Sequence, residues 1–272
     1  MSTQYLDVTG GRIAYELTGP EQGALVILVH GTGDTRKTYR FLVPQLTAAG
    51  YRVATMDVRG YGESTAAWPD YLAASVGADV VALIRHLGRP AIVIGHSIAC
   101  ASAVYAAAAA PSDVRAVVQL STSSGEGSFS LMMRLAARLV ATRAAFWGMY
   151  YKSLFPTAKP ADLGPYVKEL AGGLRQRGRL APLRGQIAEM LAGVHAPFAE
   201  VTCPSLIVMG SKDKDVPDPA REASVVAERL GGPATVQIIP DAGHYVHAEM
   251  PEHTGAAVLS FLDSVTTTRS EA

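Results

Sequence analysis

Apolar residues recur along the chain in short runs of four or five, separated by segments whose apolar positions repeat at helical spacing. The runs Ile13–Leu17, Leu25–Val29, Val53–Met56, Ala91–Ile94, Ala116–Leu120, Leu206–Met209 and Val236–Ile239 read as strands. Several are unbroken rather than alternating, as expected where both faces of a parallel sheet are covered. Helical patterns fall between them, over Tyr39–Ala49, Ser75–Leu87, Ile98–Ala110, Pro219–Leu230 and Pro251–Val265. Strand–helix alternation of this kind predicts an α/β fold, a mostly parallel sheet flanked by helices, with function at the strand C-termini. The alternation fails once. From Ser123 to Pro197 no strand pattern occurs, and a gap of roughly 70 residues is far longer than an ordinary connection. The reading is a core formed by residues 1–122 and 198–272, interrupted by a helical cap over residues 123–197.

Composition narrows this picture. The chain has 272 residues, 49% of them hydrophobic and 18% charged, which excludes a disordered or coiled-coil chain. Lys and Arg number 24 and so do Asp and Glu, so no basic excess points to nucleic acid. Only Cys100 and Cys203 are present, too few for a disulfide framework and suited to a reducing compartment. The polar start, Met1 to Gly11, lacks a basic stretch followed by an apolar one, and the Ala-rich run Ala99–Ala110 is too short to span a bilayer. The expectation is a cytoplasmic protein without a signal peptide or membrane span.

The chemistry is concentrated in four places. Ala91–Ile94 runs into Gly95-His96-Ser97-Ile98-Ala99, a strand, a sharp turn and the start of a helix. The pattern G-x-S-x-G describes a nucleophile elbow; here Ala99 replaces the second glycine. Small residues are needed around Ser97 because the turn is tight, and the helix dipole behind it favours a developing oxyanion. Asp213 follows the strand Leu206–Met209, and His244 follows Val236–Ile239. The order Ser97, Asp213, His244 is that of a nucleophile, an orienting acid and a general base. Asp215 and Asp241 are rivals to Asp213. The strand Leu25–Val29 leads into His30-Gly31-Thr32-Gly33, whose glycines let main-chain amides approach a substrate oxygen. The N–H groups of Thr32 and Ile98 are the expected oxyanion donors. Acting as base, His244 should give a kcat/KM that rises through an apparent pKa of about 6.5.

Taken together, His30-Gly31, Asp57-Val58-Arg59-Gly60-Tyr61-Gly62-Glu63-Ser64, the Ser97 elbow, Gly210-Ser211-Lys212-Asp213 with Val216-Pro217, and Gly243-His244 with Glu249-Met250-Pro251 resemble the α/β-hydrolase superfamily. The resemblance implies an eight-stranded sheet whose second strand is antiparallel, a cap over the nucleophile, and a structural rather than catalytic Asp57. It also implies that serine at 97 disfavours epoxide opening and dehalogenation, for which relatives use aspartate. Ester or lactone hydrolysis through an acyl-enzyme, extending to thioesters, is the leading expectation. A C–C bond hydrolase or lyase on a ketone or polyketide-like substrate is the alternative, as is a slow or non-catalytic ligand receptor of the same fold. No cofactor is called for. His244, His247, Glu249 and His253 resemble a ligand cluster, but His-Glu-x-x-His is absent and no metal is expected.

Two features concern the substrate. Phe129, Met132, Met133, Phe146, Trp147, Met149, Tyr150, Tyr151 and Phe155 cluster in the inserted segment and would suit a hydrophobic small molecule. Neutrality also hides a division: residues 124–196 carry ten basic and four acidic side chains, leaving fourteen and twenty for the remainder. A basic cap of this kind would attract an anionic substrate or an acidic carrier protein.

Overall fold

Along Leu25–Val29 (β3) the side chains alternate between two buried layers. Leu25, Ile27 and Val29 join one apolar cluster, and Val26 and Leu28 the other. An unbroken apolar run is what such a strand requires, since neither face meets water. The computed structural model describes residues 2–125 and 130–267, and Glu126 and Phe129 lie outside them.

Among the described residues the sheet has eight strands: Gln4–Val8 (β1), Gly11–Thr18 (β2), β3, Arg52–Met56 (β4), Ala91–His96 (β5), Val114–Leu120 (β6), Ser205–Gly210 (β7) and Ala234–Ile239 (β8). Their order across the sheet is β1-β2-β4-β3-β5-β6-β7-β8. Only β2 runs antiparallel to the others. The apolar pattern does not reveal β1. This strand is short, lies at an edge and keeps Gln4, Tyr5 and Asp7 exposed, so no buried face imposes a signal on it.

Helices Leu42–Ala48 (α1) and Pro251–Thr267 (α10) cover one face of the sheet. Ala73–His86 (α2), Ile98–Ala109 (α3) and Pro219–Arg229 (α8) cover the other. The expected helix at Tyr39 begins only at Leu42, after a 3-10 turn over Arg36–Tyr39. Pro44 then falls in the first turn of α1, where its missing N–H has no helical partner to lose. Asp218 caps α8 by accepting from the Arg221 amide at 3.0 Å, with Pro219 at the first position. Between β6 and β7 the described residues form four α-helices, Leu131–Val140 (α4), Ala144–Ser153 (α5), Leu163–Leu174 (α6) and Leu180–Ala192 (α7). The remaining helix, Val246–Glu249 (α9), follows β8. No helix among the described residues is long and apolar enough to cross a membrane.

Candidate active site

Ser97 follows β5 at the middle of the sheet and precedes α3, with φ 56° and ψ −128°. A non-glycine residue rarely adopts this backbone, and it persists only where the surroundings enforce it. Here the Ser97 amide donates to the Leu120 carbonyl of β6 at 2.9 Å, and the Ser97 carbonyl accepts from Cys100 at 2.9 Å in the first turn of α3. Gly95 makes the turn possible: a Cβ there would sit 2.3 Å from the Ala99 carbonyl oxygen. Ala99 itself, in place of the family's glycine, is accommodated in the core.

His244 and Asp213 come together from the loops after β8 and β7. His244 Nδ1 lies 2.8 Å from Asp213 Oδ2, and both side chains are almost fully buried. Asp215 Oδ2 is farther, at 3.8 Å, and its other oxygen accepts from the Tyr150 hydroxyl at 2.6 Å. Asp241 is turned away and pairs with Lys212 at 2.6 Å. Burial alone would raise the Asp213 carboxyl, but His244 beside it holds it below the usual carboxylate range. Burial works against the His244 cation, yet attraction to Asp213 and Asp215 prevails and pushes the imidazole up to about 9. The inflection of about 6.5 expected for an unperturbed histidine therefore moves upward, because two carboxylates and not one face this ring.

His96 links His244 to the Ser97 turn. Its Nε2 donates to the His244 carbonyl at 3.0 Å, and the two rings stand 5.0 Å apart. Burial, and then His247 and His244, hold the His96 ring far below its ordinary pKa, so it serves as a neutral strut beside Ser97. His30 plays a similar part under the Gly31–Gly33 loop. The Val58 amide donates to its Nε2 at 2.9 Å, which leaves Nδ1 to donate to the Gly31 carbonyl at 2.8 Å. Asp57 holds the same region by accepting from the amides of Arg36 and Glu63, both at 2.9 Å, and by pairing with the Arg36 guanidinium.

The Gly31–Gly33 loop abuts Ser97. A Cβ on Gly31 would stand 2.9 Å from Ser97 Cβ, so the Thr32 main chain begins directly beside the serine. Two inserted helices close over this loop. Trp147 of α5 donates its indole N–H to the Gly33 carbonyl at 2.9 Å, and Met190 of α7 places its sulfur 3.9 Å from Thr32 Oγ1. The His244 loop is held as firmly: the His244 amide donates to the Leu154 carbonyl at 3.2 Å, and Glu249 accepts from the amides of Gly243, Thr157 and Ala158 at 2.6, 2.8 and 2.9 Å.

Not every expected cluster forms. Of the apolar residues expected to line a substrate space, Trp147, Tyr151 and Phe155 are buried, and Phe146 and Tyr150 are half-buried. Met132, Met133 and Met149 instead face solvent; helical spacing gives a helix its stripe but not the direction in which it faces. His247 Nε2 is 2.9 Å from Thr38 Oγ1, Glu249 is taken by main-chain amides, and His253 is exposed, so these three do not converge with His244. The donor atoms that do converge, within 4.8 Å, belong to Asp213, Asp215 and His244.

The chain resembles known proteins over nearly its full length. It is 29% identical over 265 residues to 2-(acetamidomethylene)succinate hydrolase of Mesorhizobium japonicum, covering 93% of each chain. A crystal structure of a hydrolase from Pseudomonas aeruginosa superposes with a TM-score of 0.77 at 26% identity, over 96% of this chain and 98% of that one. The fold of a bromoperoxidase from Bacillus anthracis matches with a TM-score of 0.85 at 21% identity, over 96% and 100%. The alpha/beta hydrolase family profile matches residues 26–258, and the chain belongs to that family of enzymes.

Proposed function

We propose that the protein is a serine hydrolase that cleaves a carboxylic ester or lactone, or a thioester, of a hydrophobic small molecule. The observation that carries this reading is the 2.8 Å contact between His244 Nδ1 and Asp213 Oδ2, in a ring 5.0 Å from that of His96, the residue before the strained Ser97. Because Nδ1–H is committed to Asp213, the lone pair of neutral His244 lies on Nε2, the nitrogen available to take the Ser97 proton. Ser97 Oγ attacks the carbonyl carbon, and the oxyanion forms against the N–H groups of Thr32 and Ile98. His244 then returns the proton to the leaving oxygen, giving an alcohol and an acyl-enzyme. Water, deprotonated by His244, attacks the acyl carbon, and the acid leaves with Ser97 restored. Residues 123–197 act as the cap, with Trp147 and Met190 offering apolar surface beside the donor loop.

The test is fluorophosphonate labelling together with a short panel of p-nitrophenyl esters. Wild type is expected to be labelled and to turn over, and Ser97→Ala to do neither. A folded wild-type protein that resists labelling, or turnover that survives Ser97→Ala, would overturn the mechanism. A second reading places a carboxylate on the substrate. Its support is the basic excess of residues 124–196 and the name of the Mesorhizobium relative, a hydrolase of a succinate derivative. It predicts a kcat/KM that falls with added salt for anionic substrates but not for neutral ones.

A further inference from the structure

Helix α4 is built unlike the rest of the chain. It has no buried residue, and Leu131, Met132, Leu135 and Leu139 are exposed by 74, 81, 56 and 58%. Their spacing of one, four and eight places all four on one face, with Arg134 and Arg138 bordering it. Ser130 caps the helix by accepting from the Met133 amide at 3.2 Å, and Arg134 ties it to α7 by donating to the Leu191 carbonyl at 3.0 Å. Leu191 follows Met190, whose sulfur touches Thr32, so the exposed stripe lies on the outer side of the donor loop's own cover.

Charge indicates what the stripe meets. From Ser130 to Ala161 the sequence contains Arg134, Arg138, Arg143, Lys152 and Lys159 and no acidic residue. A second copy of α4 would bring arginine against arginine, with no carboxylate on either helix to relieve it. The stripe itself offers no hydrogen-bonding side chain that would read a protein surface. Leucine and methionine flanked by arginine are instead the chemistry of a helix lying at the boundary of an anionic bilayer. We infer that α4 docks the enzyme on an anionic lipid surface, with Leu131, Met132, Leu135 and Leu139 entering the acyl boundary and Arg138 meeting the headgroups. A hydrophobic substrate dissolved in that surface would reach the mouth without crossing water. Docking itself does not depend on the hydrolase reading.

The test is co-sedimentation of the full-length protein with phosphatidylcholine vesicles, with and without phosphatidylglycerol, at low and high salt. Wild type is expected to bind the anionic vesicles, to bind neutral ones much less, and to be released by salt. The double variant Leu135→Gln/Leu139→Gln, altered only at exposed positions, is expected to bind about tenfold or more weakly, with its melting temperature and its turnover of a water-soluble ester unchanged. Ser97→Ala is expected to bind as wild type does, so a lost hydrolase activity and a lost docking are read separately. No binding by wild type, or equal binding by the double variant, would overturn the proposal. So would a wild-type dimer, seen by sedimentation velocity, that the double variant dissolves without any vesicle binding.

Discussion

Replacing Asp213 by asparagine keeps the shape of the side chain and removes the charge that His244 faces. At an effective dielectric of about 20, a cation at the 2.8 Å separation of this pair gains about 6 kcal/mol from Asp213, and about 4 kcal/mol from Asp215 at 3.8 Å. Burial and the nearby Lys214 take back part of this, leaving His244 at about 9 instead of 6.5, a net preference for the cation of about 3 kcal/mol. The base must be neutral to work, so kcat/KM of the wild type is expected to rise with pH through an inflection near 9. In Asp213→Asn the inflection should move down by more than in Asp215→Asn. Its kcat should also fall by about ten-thousandfold, because nothing then fixes the imidazole tautomer. Asp215→Asn should keep most of the rate. The assay is kcat/KM and kcat for a short p-nitrophenyl ester across the range from mildly acid to strongly alkaline pH. A wild-type inflection at or below 6.5, or a greater loss of rate in Asp215→Asn, would refute the reasoning. Stability follows the same linkage. His244 has a folded-state pKa raised above its unfolded value, so the pair's contribution is fully present below 6.5 and lost as pH rises through about 9. The difference in melting temperature between wild type and Asp213→Asn should narrow over that window.

Three further substitutions probe the supports of the site. Gly31→Ala brings a methyl within 2.9 Å of Ser97 Cβ and 3.0 Å of His96 Nδ1; the donor loop must shift, and kcat is expected to fall about 100- to 1,000-fold, as when one oxyanion donor is lost. Glu249→Ala strands the amides of Gly243, Thr157 and Ala158; urea unfolding should show a loss of about 3 kcal/mol or more, with kcat falling more than KM changes. Trp147→Phe keeps an aromatic side chain and removes the indole N–H with its 2.9 Å bond to the Gly33 carbonyl; kcat should drop about tenfold, roughly the value of one neutral hydrogen bond, while the circular dichroism spectrum stays the same.

Ser97 and Asp213 stood out because each follows a strand, β5 or β7, that is buried along its whole length, whereas His244 follows the half-exposed edge strand β8 and stood out through the order Ser97, Asp213, His244 along the chain. The antiparallel β2 and the eight-strand count came from the family resemblance, since β1 is an exposed edge with no apolar pattern. The supporting residues were not legible. His96 acts on a carbonyl 148 positions away, and His30 on an amide 28 positions away. Nothing in the local pattern of a histidine says which main-chain group it will meet. Glu249 looked like part of a metal-like cluster because composition records its carboxylate and not the three amides that occupy it. The apolar content of residues 131–155 was visible, but the division of that segment into buried aromatics on α5 and outward-facing Leu and Met on α4 depends on how the helices sit against the sheet.

The inserted helices hold both halves of the proposed machinery, and this limits how the site can open. On the donor side, Asp34 follows Gly33 directly and is buried, with Tyr151 of α5 donating to it at 3.0 Å and Tyr166 of α6 hydrogen-bonded to its other oxygen. Burial pushes the Asp34 carboxyl above its ordinary value, against the pull of His30 and of these hydrogen bonds, so parting α5 and α6 from the loop would leave a costly group without partners. On the base side, Leu154 and the Thr157–Ala158 amides bind the His244 loop. Swinging α5 and α6 away as a lid would break both sets at once and disassemble the site that it was meant to open. Helix α4 carries no such load, since it buries no side chain. Amide exchange should therefore be fast along Leu131–Val140 and slow along Ala144–Ser153 and Leu163–Leu174. If α5 and α6 exchanged as fast as α4, the Asp34 and Glu249 contacts would not be holding the site. The contact of α4 with α7 through Arg134 and the Leu191 carbonyl, next to the Met190 sulfur beside Thr32, belongs to neither set.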